Sequence, residues 1–408
     1  MKYFGKWRSD YSRAGTQKED SGTVIETAFH LPAYSNSKFL IGCTLVSLGI
    51  LVSGSGGSWD ITNHLLNKPE TFFSAPHAVL YLGVASSIVG ATTILIAWRS
   101  FRTYYYQLST SVKLVFAGIG MLLVAGPVDF AWHSAFGLDG LLSPPHFVLL
   151  MGMIISSFGS MLGIIICNNA TRGNIMCNGR VNHQQQIQQS SSSSVKSKKP
   201  TCYVALILTI IGVAPVWIST DGLIGMFTLP FSKTQYFDFN ADPSFAAIFA
   251  TISYPFLLSL VLYCSFELGE RRFGVISIIG GIYLTISTLT AIMPSESLVP
   301  TLPFYVINIL PIVAADGLLS VLNNRFYSIF MTGAILGSIF FMIQYPLITH
   351  IYNEVITKEA FVWPSLTSSI YFGMIGSVYP LIVVPAIAMG ILGAAVGYKL
   401  TYQIRCIY

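Results

Sequence analysis

The chain has 408 residues, of which 53% are hydrophobic and only 10% charged, and its mean hydropathy is +0.65. Soluble domains carry about a quarter of their residues as charges, so this composition excludes one and describes a polytopic membrane protein. The net charge of +5 comes from basic residues dispersed along the chain, which excludes a nucleic-acid surface.

A helix crossing a bilayer needs about 20 mainly apolar residues. Such runs predict ten spans, at 39–57, 76–98, 112–132, 145–167, 202–220, 244–265, 273–293, 301–322, 326–348 and 367–398. The expected fold is an all-α, integral membrane helical bundle of about ten transmembrane helices with repeated hairpins. The first 38 residues form a polar tail without the apolar core of a cleaved signal, so the first span is expected to direct insertion. After the fourth span, residues 168–200 end in NHQQQIQQSSSSSVKSKKP. This tract cannot bury a core and is read as a disordered cytoplasmic linker. It separates a four-span region (39–167) from a six-span region (201–408). The last span holds Pro380 and Pro385 and is expected to kink or tilt.

Loop charge sets the expected orientation in a cell membrane. Lys68, Lys233 and Lys358 are the basic residues of the odd-numbered loops, and the other nineteen of the 22 lie in the even loops and the two tails. That asymmetry is expected to put both termini in the cytoplasm and supports an even number of spans. The six cysteines form no CxxC pair and suggest neither a disulfide framework nor a thiolate metal site. His30 and His183 fall in polar tail and linker sequence and are read as solvated.

The four-span region contains a repeat. WDITNHLLNKPETFFSAPHAVLYLG (59–83) aligns without a gap on VDFAWHSAFGLDGLLSPPHFVLLMG (128–152), at an offset of 69. Asp60 matches Asp129, His64 matches His133, His77 matches His146, and Glu70 matches Asp139. Each copy reads D-x3-H-x12-H across the connection between two spans. A given Asp has His at both offsets by chance only rarely, about three in a thousand over the whole chain, so the motif calls for a cause.

The spacing has a chemical meaning. Residues i and i+4 share one helix face, so Asp60 with His64, and Asp129 with His133, each aim two ligand groups the same way. Ser74 or Ser143 is expected to cap the returning helix, with Pro76 or Pro144 in its first turn. His77 and His146 then sit at a helix N-terminus, where the dipole favours the neutral, metal-binding imidazole. Each hairpin thus predicts an Asp–His–His metal site, with Glu70 and Asp139 as further ligands or as hydrogen-bond partners of a ligand. Asp–His pairs also cap helices and link bundles without metal. Two imidazoles and a carboxylate suit copper, zinc or iron, and three protein ligands leave positions open for chemistry.

At these residues the chain resembles the C subunit of the membrane-bound copper monooxygenases, the ammonia and particulate methane monooxygenase family. DFAWH, Asp139 and SPPHFVLL carry the likeness, which covers about residues 39–167. The resemblance implies copper, dioxygen-dependent hydroxylation of a small substrate, and other membrane subunits as partners beside the lipid. That subunit is shorter than this chain and the likeness does not extend into 201–408. The alternative is a membrane transporter or metal-handling protein without oxygenase activity.

In the second region, residues 348–373 repeat the motif in outline, with Thr349, Asn353 and Leu366 in place of ligands, and read as a copy without metal. His350 is then a helix-end residue. Asp221 lies near a span end. Asp316, in LPIVAADGLLSVL, falls at span depth and is a candidate ion or proton site, or else a side chain capped by neighbouring backbone or Ser320. Prolines from Pro230 to Pro311 imply bends that can line a cavity.

Overall fold

The computed structural model describes residues 33–66, 68, 71–99, 105–137, 142–187, 203–228, 243–322, 324–340, 343 and 366–407. Among them there are helices and no strands. In chain order these are α1 (Ala33–Leu65), α2 (Ala75–Arg99), α3 (Tyr105–Phe136), α4 (Pro144–Ile187), α5 (Tyr203–Thr228), α6 (Pro243–Leu268), α7 (Val275–Ile292), a 3-10 turn (Glu296–Thr301), α8 (Leu302–Val306), α9 (Ile309–Val321), α10 (Arg325–Ala334), a π-helical turn (Ile335–Phe340) and α11 (Leu366–Ile407). The described residues within 31–172 and 192–408 belong to one compact unit, which holds the site and every packing contact described below.

Nine segments among the described residues are long and apolar enough to cross a membrane, and the protein is a multi-pass all-α membrane protein. Of the expected spans, 326–348 is described as α10 and the π-turn up to Phe340, and the rest of it lies outside the described residues. The expected span 301–322 is one of the nine, Leu298–Val321, and its helix is broken once. Pro300, Pro303 and Pro311 each lack an N–H for the helical ladder, and the chain turns at Ile307–Asn308 between α8 and α9. The predicted linker begins as helix, since α4 continues to Ile187 before the described residues stop. The motif-like stretch 348–365 also lies outside them.

Two hairpins, α1–α2 and α3–α4, position the candidate site, and glycine makes them tight. A Cβ on Gly83 would lie 2.4 Å from the Gly49 carbonyl, and one on Gly90 2.7 Å from that of Gly42. The positions 42, 49 and 56, and 83 and 90, recur every seven residues, so the small residues of each helix fall on one face and the two faces meet. The second hairpin repeats the arrangement at the same offset of 69. A Cβ on Gly118 would lie 2.5 Å from the Gly152 carbonyl, and Ser111 Oγ donates to Gly159 O at 2.7 Å. Ser87 and Ser156 make equivalent bonds, each donating to the carbonyl four residues back, Gly83 and Gly152 respectively. The repeat therefore includes the packing surface as well as the motif.

Ser47 and Ser160 hydrogen-bond at 2.9 Å, joining α1 to α4. Met161 and Ile165 of α4 enter one apolar core with Trp217 of α5, Leu262 of α6, Ile279 of α7 and Ile312 of α9. The four-span and six-span regions thus share a core. Ser58 of α1 meets Thr290 of α7 at 2.7 Å, which ties the motif end of α1 to the second region.

Gly83→Ala should force the α1–α2 backbones apart and cost about 1–3 kcal/mol. Gly120→Ala, where an added Cβ meets nothing within 4 Å, should be neutral or stabilising by up to about 1 kcal/mol. Denaturant unfolding in detergent micelles compares the two; equal losses would contradict the glycine contact.

Candidate functional site

The motif residues sit where four helix ends meet: the C-terminal ends of α1 and α3 and the N-terminal ends of α2 and α4. The i, i+4 spacing aims each Asp and first His together, as the sequence predicts. His64 Nε2 lies 3.6 Å from Asp60 Oδ2, and His133 Nε2 lies 3.5 Å from Asp129 Oδ1. The returning helix adds the third group in each copy. His77 Nε2 is 3.1 Å from Asp60 Oδ1, and His146 Nε2 is 3.3 Å from Asp129 Oδ1. Asp60 and His64 are buried, and the other four are largely covered.

The grouping differs from two separate triads. Among the described residues, the sets whose ligand atoms all fall within 4.8 Å of one another are Asp60–His64–His77 and His64–His133–His146. His64 belongs to both. Its ring centroid lies 5.2 Å from that of His133 and 6.0 Å from that of His146. The hairpins lie side by side with their motif ends together, and so the two copies pool their histidines. Asp129 holds the second pair from below, within reach of both rings. Glu70 and Asp139 lie outside the described residues.

Backbone carbonyls fix two of the rings. His77 Nδ1 is 2.9 Å from Thr71 O, and His133 Nδ1 is 3.1 Å from Gly137 O. A carbonyl only accepts, so Nδ1 carries the proton in each case. In a neutral ring Nε2 then presents a lone pair, and it points at a carboxylate oxygen. Two lone pairs at such distances repel unless a cation, either a proton or a metal ion, lies between them. Donor atoms about 2.0–2.1 Å from a shared ion, at angles near 90–109°, would be roughly 2.9–3.4 Å apart. The four carboxylate–imidazole separations, 3.1–3.6 Å, lie at and just above that range, while the ring nitrogens of His64, His133 and His146 lie within 4.8 Å of one another. Gly137 makes its carbonyl available by adopting φ +74°, a left-handed turn that ends α3 and that glycine takes without strain.

The serine caps do not form as predicted. Ser74 and Ser143 occupy the position before each helix, and their carbonyls accept the first helical bonds, from Ala78 N and Phe147 N. Their hydroxyls are buried and have no hydrogen-bond partner among the described residues. Pro76 and Pro145, two residues after each serine, remove one of the N–H groups that such a hydroxyl would cap.

A cavity of about 580 Å³ opens beside the cluster. Asp60, His77, Asp129, His133 and His146 line one side. Leu80, Leu149, Leu150, Met153, Ile218 and Met226 make much of the rest apolar. The far side comes from the second region, where Tyr283 of α7 donates to Asp221 Oδ2 of α5 at 3.1 Å. The sequence marks Asp221 as a span-end acid but gives no local sign of its partner, 62 residues away.

Asp316 is not at this site. Its Oδ2 accepts from Gly274 N, Ser277 N and Ser277 Oγ at 2.7–2.9 Å. It therefore caps α7 from α9, satisfying N–H groups that the helix leaves open. Ser320 bonds Gly317 O instead. No family model, characterised protein or solved structure matches the chain.

Asp316→Ala should uncap α7 and cost about 1–3 kcal/mol, measured by denaturant unfolding. An unfolding free energy equal to that of the wild type would contradict the capping role.

Proposed function

We propose that the protein is an integral membrane metalloprotein that holds copper between its first two hairpins and hydroxylates a small substrate with dioxygen. The observation that carries this is the convergence of a ring nitrogen from each of His64, His133 and His146, and of the Asp60–His64–His77 set, within 4.8 Å. Buried imidazoles and carboxylates at span ends are costly, and their convergence beside a cavity calls for a cation. The donor set has no thiolate. The described cysteines Cys43, Cys167 and Cys264 are not among the cavity-lining residues. Nitrogen and carboxylate donors alone suit copper, iron and zinc. The likeness of DFAWH and SPPHFVLL to the copper monooxygenase C subunit favours copper and, with it, oxygen chemistry.

Copper bound by three protein groups supplies open positions for dioxygen and a path for electrons. The protein's own part is to hold the donors and exclude bulk water. Thr71 O and Gly137 O keep two rings turned with Nε2 inward. The apolar wall admits a small uncharged molecule. Hydroxylation consumes one dioxygen, two electrons and two protons, and yields the alcohol and water, so an external reductant is required. On the loop-charge asymmetry, the cavity end faces the outside and both tails face the cytoplasm. The alternative, a transporter or metal-handling protein, draws on the repeated hairpins, the membrane prolines and Asp316; of these, Asp316 commits its Oδ2 to the start of α7.

Metal analysis of protein purified under metal-replete conditions tests this. Wild type should retain copper, and His77→Ala and His146→Ala should each lower the content at least by half. Ascorbate-driven dioxygen uptake should fall about 10–100-fold in both. Protein without copper or iron, or variants with unchanged content, would overturn the proposal.

A further inference from the structure

The wall opposite the histidines is polar at one place, and that place belongs to the region the family likeness does not reach. Asp221 and Ser219 of α5 and Tyr283 and Ser287 of α7 all line the cavity. Tyr283 commits its hydroxyl to Asp221 Oδ2 at 3.1 Å and stacks on Trp217, with ring centroids 4.9 Å apart and planes 12° apart. The stack fixes the tyrosine ring, and the ring fixes one carboxylate oxygen. The other, Oδ1, has no hydrogen bond among the described residues and borders the cavity. Ser219 is only 1% exposed, yet its hydroxyl also has no partner there.

A carboxylate inside a membrane bundle is costly, and a half-satisfied one more so. Beside it Ile218, Met226 and Ile286 are apolar, and the hydroxyls of Ser219 and Ser287, though they line the same cavity, make no hydrogen bond to Asp221 among the described residues. Oδ1 is therefore open to a donor from whatever occupies the cavity. We infer that Asp221, held by Tyr283, orients the substrate: a small neutral molecule with an apolar body and one O–H or N–H donor. This rests on the function proposed above for the same cavity. The second region then supplies recognition while the first supplies the metal ligands. Asp221 is a positioning residue that touches substrate at the end away from the histidines, so its loss should change ligand preference without changing metal content.

The probes are 1-butanol and diethyl ether, isomers of one formula that both accept hydrogen bonds while only the alcohol donates. Binding to the full-length protein in nanodiscs is read by the fluorescence of Trp217, taken as the difference between wild type and Trp217→Phe. Wild type should bind the alcohol about tenfold more tightly than the ether, the worth of one hydrogen bond to a charged group. Asp221→Asn keeps the shape and turns an amide donor to the cavity, so the ratio should fall to within about twofold. Asp221→Leu should do the same while still binding the ether, which shows that the cavity persists. Metal content measured on the same samples should not change. Equal affinities in wild type, a ratio that survives both substitutions, or no binding of either probe would overturn the inference. None of these outcomes depends on metal retention, so failure of the metalloprotein proposal is read separately.

Discussion

The arrangement depends on how closely four helices approach. At Gly49–Gly83 and Gly118–Gly152 the backbones touch, and any side chain there would meet a carbonyl oxygen. In a bilayer the hydrophobic effect does not drive helices together, so dispersion between close backbones has to do it. These contacts set the crossing of each hairpin, and the Ser47–Ser160 bond sets one hairpin against the other. The motif residues then arrive at one end of the bundle in reach of each other.

Much of this was legible in the sequence. Asp60 with His64, and Asp129 with His133, read directly as pairs because i, i+4 geometry is local to a helix. The return of His77 and His146 also follows from the short connections. The glycine contacts are written at the same offset of 69 as the motif, so the repeat extends through both helices of each hairpin. The sharing of His64 was not legible, because it depends on packing between hairpins rather than within one. The hydroxyl caps at Ser74 and Ser143 were legible as a rule and wrong as a fact, since what those hydroxyls meet is set by the helices around them. Asp221–Tyr283 and Asp316–Ser277 join residues far apart in the chain, and nothing local announces them.

The second region changes meaning in this light. By sequence it is a set of apolar spans with a few odd acids. In three dimensions α5 and α7 close the cavity that the hairpins begin, through Ile218 against Gly54 and Thr290 against Ser58. Asp221 and Asp316 have different duties. Asp316 builds the start of α7, and α7 in turn carries Tyr283 to the cavity. One ionisable residue thus serves the scaffold and the other faces the space where a ligand fits.

The central claim is that two copies of one motif make a single metal-binding cluster through His64. X-ray absorption at the K-edge of the bound metal tests it most directly. The account predicts imidazole scattering with nitrogen and oxygen donors at about 2.0–2.1 Å, disturbed across the entire bound population by His64→Ala. A spectrum without imidazole, or one that His64→Ala leaves unchanged, would contradict it.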